Sequence, residues 1–244
     1  MKSAKYQKRF YRDWVYSKDL FQERIEVRET DLQILTDKPI DKVFVLGRIR
    51  DYRGQIEKYI TRDKRFLTSL KPIAVEINSP PIVREMARAS GKANVGPMAT
   101  VAGAIAQFLG KDLLRKGYKD VIIENGGDIF LKTTRPVKVG IYSGRSKFSK
   151  KIALKVKPKN SALGICASSG TIGHSLSFGC AESVVIISMD AILSDAVATA
   201  AGNIIHSAND LPKGIAFCRA IKGVSAALII FKNNLFCWGD IELV

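Results

Sequence analysis

Soft metal ligands and acidic residues are both scarce in this chain. Four cysteines and two histidines are spread over 244 residues, and Cys166, Cys180, Cys218 and Cys237 contain no CxxC pair. That spacing excludes a zinc ribbon or a disulfide framework and fits reduced thiols in the cytosol. Apolar runs are short as well. Val184–Ile187 and Ala226–Phe231 are among the longest, far below the roughly 20 residues that span a bilayer. The N-terminal residues Lys5, Tyr6, Lys8, Arg9, Phe10 and Tyr11 are basic and aromatic, so they lack the apolar core of a signal peptide. A soluble, cytoplasmic protein with no membrane partner is expected. Low-complexity linkers are absent, and a hydrophobic share of 46% excludes a disordered or collagen-like chain. One domain over residues 1–244 is expected, with the basic segment 1–23 extended from it.

The shortage of acid gives a net charge of +16, which favours an anionic partner. More than half of it lies between Arg135 and Asn160, a stretch of nine cations without one acid. Within it, Ile152, Leu154 and Val156 alternate with lysines, the period of a half-buried strand with its lysines towards water. Two readings follow: a phosphate-attracting face, or an edge strand that lysine protects from aggregation. Phe148 is the one aromatic residue among the lysines from Lys147 to Lys159, and no nucleic-acid motif follows, so a nucleic-acid partner is not expected.

Alternation across Arg24–Thr36, with Glu29-Thr30-Asp31 in the middle, predicts an interrupted strand or a hairpin. Val43–Ile49 and Ile73–Asn78 are apolar runs flanking a helical segment in 51–64, and Pro80-Pro81 ends the second as a strand. A helix is expected over Pro81–Ser90, closed by Gly91. The longest helical pattern is Pro97–Lys116, with Met98, Val101, Ile105, Phe108 and Leu109 on one face and Gly117 after its end. Strands are expected at Asp120–Glu124, Ile129–Leu131 and Ser183–Ser188, a small-residue helix at Asp190–Ile205, and a closing hairpin at Leu228–Phe231 and Leu235–Trp238. Helices among mostly antiparallel strands make the expected class α+β. The helix and strand pattern occurs twice, as an internal duplication would produce, without a residue-level repeat.

Three clusters carry candidate chemistry. In Asn125-Gly126-Gly127-Asp128 a glycine pair after a buried strand would let a ligand approach backbone N–H groups, with Asp128 accepting from a ribose or meeting a metal; a plain hairpin turn reads the same way. Ser168-Ser169-Gly170-Thr171 leads to His174, and these hydroxyls and amides would cradle phosphate oxygens while His174 donates to a developing anion or shuttles a proton. An isolated polar loop with a structural histidine is the alternative. Asp195 and Thr199 stand four apart, so on a helix they would share a hard cation such as Mg²⁺; otherwise Ser194 or Asp195 caps that helix. No Walker A or nucleophile-elbow order occurs.

The segments Asn125–Ile129, Ser168–Gly170 with His174, and Asp195–Thr199 resemble, in this order, the signatures of the ApbE-like superfamily, whose best known members are FAD-dependent FMN transferases. Gly173–Gly179 (Gly-His-Ser-Leu-Ser-Phe-Gly) and Gly96–Ala99 are closer to an uncharacterised cytoplasmic branch of it. The resemblance spans about Arg24 to Ala201. It implies Mg²⁺ held by Asp195, Thr199 and a backbone carbonyl near Ala99, and a dinucleotide such as FAD lined by Gly126, Gly127 and Asp128. It also implies a Mg²⁺-dependent flavin- or nucleotide-binding enzyme. Asn94–Val101 departs from the transferases' Asp-x-Gly-x-Ile-Ala-Lys-Gly, losing its acid and its lysine, so ligand class carries over further than flavin transfer. Two alternatives remain open. One is a sulfide-assimilation factor, since members of the branch are linked with that process and Cys166 and Cys180 flank the His174 loop; the other is a non-catalytic scaffold with an inherited pocket. A homo-oligomer is compatible with either.

Overall fold

The computed structural model describes residues 15–16, 19–144, 146–149, 151–170 and 178–244. Alternating apolar residues build a central eight-stranded sheet, antiparallel at every pairing. Its order is β11-β10-β9-β8-β5-β4-β3-β2. The strands are β2 (Phe21–Val27), β3 (Thr30–Thr36), β4 (Val121–Asn125), β5 (Asp128–Lys132), β8 (Leu163–Ser168), β9 (Ser183–Ser188), β10 (Val224–Phe231) and β11 (Asn234–Gly239). A second sheet of order β1-β6-β7 comprises β1 (Val15–Tyr16), β6 (Val137–Gly140) and β7 (Ala153–Val156). Because successive strand residues point to opposite faces, the large sheet has two cores. Ile122, Ile129, Leu131, Ile165, Val185 and Leu228 meet Val137, Val139, Leu154 and Val156 of the small sheet. Ile34, Val121, Ile123 and Phe130 meet the helices.

The helices are α1 (Lys42–Arg62), α2 (Arg65–Thr68), α3 (Pro81–Ala93), α4 (Val101–Arg115), α5 (Ala191–Ile204) and α6 (Leu211–Ala220). The expected α+β class holds, as do the hairpin of β2 and β3, the helix after Pro97, the helix after Asp190 and the closing hairpin of β10 and β11.

Three expectations differ. Val43–Ile49 is the first third of α1. Val45, Ile49, Tyr52, Ile56 and Tyr59 are buried along it at steps of three and four, so helical period outweighs the apolar run. Ile73–Asn78 forms no strand. Finally, α3 runs past Gly91 to Ala93, and Asn94 in the left-handed conformation (φ 56°) ends it. Asn tolerates that conformation through its short polar side chain.

In the basic segment, β7 is the edge of the small sheet, and the C-terminal residues pair with it through Leu154 and Leu243. Lys155 and Lys157 each lie 2.8 Å from Glu242, and Lys159 lies 3.2 Å from Asp240. The chain's own acids thus face these lysines, and the C-terminal residues bond along this edge, so lysines turned to water are not what covers it.

Candidate functional site

The site is organised by the first turn of α4, where segments distant in sequence meet. Pro97–Thr100 forms a 3₁₀ turn leading into Val101, and Ala99 on that turn packs, half-buried, against the cluster holding Ala196 and Ala200 of α5. Asn125, the last residue of β4, donates from Nδ2 to the Ala102 carbonyl at 3.2 Å. Asp195 of α5 accepts through Oδ2 from the Gly103 N–H at 2.9 Å, and the Ala102 N–H also donates to it. A helix N-terminus has unpaired N–H groups and favours negative charge, so α4 is stabilised from outside by the Asp195 carboxylate. The cap of α5 itself is Asp190, which accepts from Ile192 and Leu193. The expected alternative that Ser194 or Asp195 caps its own helix is therefore corrected. Ser194 instead bonds Ser188 and the Gly164 carbonyl.

The glycine pair makes the turn between β4 and β5. Gly126 and Gly127 have φ of 68° and 106°, as the tight hairpin turn with two positive φ values demands. The Gly127 N–H donates to Glu124 Oε1 at 2.8 Å, so this amide is used within the hairpin. Asp128, the first residue of β5, pairs with Cys166 of β8. It is buried, and its Oδ1 has no hydrogen-bond partner, although the carboxylate accepts from the Ala167 N–H and the Cys166 thiol. Burial, and then the charge of Asp195, push the Asp128 carboxyl well above the usual range. Burial likewise raises Asp195, to about 7, against the pull of the Gly103 and Ala102 amides.

Cys166 is buried; burial first, then the charges of Asp128 and Asp195, raise its pKa well above the ordinary thiol value. It therefore remains a thiol and acts as a donor, including to the Ala191 carbonyl at 3.2 Å, rather than as a nucleophile. Cys180, its partner in the sulfur reading, is exposed.

Ser168 and Ser169 are half-buried at the end of β8, one strand away from the glycine hairpin. The Gly170 N–H donates to the Ala181 carbonyl at 2.9 Å. A Cβ on Gly170 would lie 2.0 Å from the Gly179 carbonyl oxygen, so glycine is required where the two ends of the loop meet. Thr171, His174 and most of Gly173–Gly179 lie outside the described residues. Thr199, one turn beyond Asp195, is half-buried. The structure thus brings Asn125, Asp128, Asp195 and the approach to α4 into one neighbourhood, with Ser168–Gly170 beside it.

A family model described as "AbpE bacteria" matches residues 12–220. The chain belongs to this family. Among its relatives is a UPF0280 protein of Methanospirillum hungatei, 42% identical over 219 residues, covering 90% of this chain and 88% of that one. Another UPF0280 protein, from Methanocella arvoryzae, is 38% identical over 221 residues, covering 91% and 89%. The fold is shared with the Pseudomonas stutzeri flavinyl transferase ApbE (TM-score 0.60, 14% identity, 90% of this chain and 94% of that one). It is shared also with the flavin transferase ApbE of Vibrio cholerae (TM-score 0.61, 13% identity, 90% and 97%). The resemblance read from the three motifs is thereby established at the level of family and fold.

For this AbpE-family chain, sequence reasoning missed Cys166 as a hydrogen-bonding neighbour of Asp128 and missed the α4 residues Gly103 and Gln107. A signal for Gln107 exists. Within the buried stretch from Gly103 to Gly110, Gln107 is the polar side chain amid Ala104, Ile105, Ala106 and Leu109, and a buried amide needs partners. Among the described residues, no group of three or more His, Cys, Asp or Glu side chains is placed to hold a metal ion. None of the described helices is long and apolar enough to cross a membrane.

Proposed function

We propose that the protein is a Mg²⁺-dependent enzyme that binds a flavin dinucleotide or another nucleotide. The observation that carries this reading is the pair of buried carboxylates, Asp128 and Asp195, close enough that the charge of Asp195 raises the proton affinity of Asp128, with Asp128 Oδ1 left without a partner. Two like charges in a dry site are costly unless a cation or protons compensate them. The donors are hard oxygens, the set that suits Mg²⁺ rather than a thiophilic metal. Asp195, Thr199 and the Ala99 carbonyl would hold the ion, and when bound it supplies positive charge to a pyrophosphate.

The chain's own groups divide the remaining work. The amides of Ala102 and Gly103 fix the orientation of Asp195. Ser168, Ser169 and Thr171 supply hydroxyls to phosphate oxygens, Gly170 lets the ends of their loop meet, and His174 donates to the charge that develops there. The glycine hairpin allows close approach, with Asp128 at its base. A small anionic ligand, rather than nucleic acid, is the partner this arrangement suits. The four free thiols support a reducing, cytoplasmic setting.

Calorimetric titration with FAD, FMN and ADP, each with and without Mg²⁺, tests the reading. Micromolar binding that requires Mg²⁺ is expected, lost in Asp195→Asn; no binding by any of the three would end the proposal. The changed segment at Asn94–Val101 favours a second outcome in which the ligand binds but no flavin is transferred. Incubation of the FAD-loaded protein with an acceptor protein, read by mass, separates that scaffold role from a transferase.

A further inference from the structure

Helices α4 and α5 pass each other antiparallel and are joined by two sets of hydrogen bonds one helical turn apart. In the first, the Ala191 N–H donates to Gln107 Oε1 at 2.7 Å and Gln107 Nε2 donates to Asp190 Oδ1 at 3.1 Å. In the second, the Gly103 N–H donates to Asp195 Oδ2 at 2.9 Å. Residues 103 and 107 are separated by the same four positions as 191 and 195, about 6 Å of helix, so the two sets match in spacing. Beside these bonds the contact is small and apolar, with Gly103 against Ala191. Apolar contact has no preferred direction, so it does not by itself fix how far one helix slides along the other. Hydrogen bonds do, because their geometry is narrow.

We propose that Gln107 is a positioning residue of this site. By holding Asp190 and Ala191 it sets the height of α5 against α4, and thereby the point at which Asp195 meets the amides of Ala102 and Gly103. The role accounts for an amide almost fully withdrawn from water on the buried face of α4, with both its oxygen and its nitrogen engaged. Asp190 is anchored from the other side by Arg88 at 2.8 Å and by its own cap bonds to Ile192 and Leu193. Gln107 therefore grips a rigid helix end, not a mobile side chain. The inference rests on the reading of Asp195 as a cation ligand, and its test separates the two.

Gln107→Met keeps length and flexibility and removes both bonds. Protein labelled with ¹⁵N-glycine reports on Gly103 directly, and Gly110 on the same helix serves as the reference. In cation-free protein, Gln107→Met is expected to lower the exchange protection of the Gly103 amide by about tenfold or more relative to Gly110, and to weaken Mn²⁺ binding, measured by calorimetry, by about tenfold. Gln107→Asn keeps the amide uncharged but draws it back by one methylene, weakening both bonds, and should fall between. It also carries the test if the Met variant fails to fold. Unchanged Gly103 protection would overturn the proposal. So would lost protection with unchanged Mn²⁺ affinity, since Gln107 would then serve the helix contact alone. If the wild type binds no Mn²⁺, the cation reading fails, while the Gly103 amide still decides whether Gln107 sets Asp195.

Discussion

Replacing Gly103 by alanine tests how closely the two helices that carry the site must approach. A Cβ at this position would lie 2.5 Å from the Ala191 carbonyl oxygen and 3.0 Å from the Asp195 Cβ. The nearest obstacle is backbone, so no rotamer change relieves it, and the first contact is about 0.9 Å short of ordinary van der Waals separation. If α4 and α5 separate by that amount, the 2.9 Å bond from Gly103 to Asp195 passes beyond hydrogen-bond range. Overpacking costs about 1–3 kcal/mol and loss of a bond to a charged group about 1.5–3 kcal/mol, while Ala gains about 1 kcal/mol over Gly in a helix. The net expectation is a loss of roughly 1.5–5 kcal/mol, or about 3–20 °C in Tm for a chain of this size. Gly47→Ala is the internal control. It lies on the exposed face of α1 with nothing within 4 Å of the new methyl, and should gain about 0.5–1 kcal/mol. Urea denaturation of both variants, with nucleotide binding measured alongside, reads the difference. Equal gains from both substitutions would refute the close approach of α4 and α5, and with it the account of how Asp195 is held.

Two further outcomes concern a buried carboxylate and the four thiols. Burial would raise the Asp120 carboxyl, but the Thr134 N–H and hydroxyl and the Arg135 guanidinium outweigh it and hold it below its usual value. A depressed folded pKa stabilises the protein above the unfolded pKa of about 3.9 and is lost as pH falls through the folded value; in acid denaturation, the gap between wild type and Asp120→Asn should therefore close below about pH 4. A constant gap down to pH 2 would contradict that. With a thiol reagent such as Ellman's, Cys180 and Cys237 should react in the native protein, and Cys166 and Cys218 only after unfolding, as their burial requires. Rapid native modification of Cys166 would reopen a sulfur chemistry that its raised pKa argues against.

The sequence carried the local structure wherever period and punctuation agreed. Pro97, the apolar stripe to Leu109 and Gly117 marked the turn and helix at the heart of the site, and Asp190 ahead of a small-residue run marked α5. The same logic failed at Val43–Ile49, where a short apolar run fits strand and helix alike and only the continuation to Tyr59 decides. It failed also at Ile73–Asn78, which has strand composition but no neighbouring strand to pair with. The three motifs were legible as candidates because hydroxyls, glycines and carboxylates gather at fixed spacings.

Residue order alone determined the α+β class, the family motifs and the uneven charge. Only the tertiary structure decided what those residues do to one another. Lys155 in β7, and Lys157 and Lys159 after it, face acids at the C-terminus. Asp195 stabilises a helix other than its own, and Gln107 grips the start of α5. Each of these depends on contacts between residues far apart in the chain. Their charges and hydrogen bonds act through space, so spacing along the sequence cannot specify them until packing brings the partners within reach.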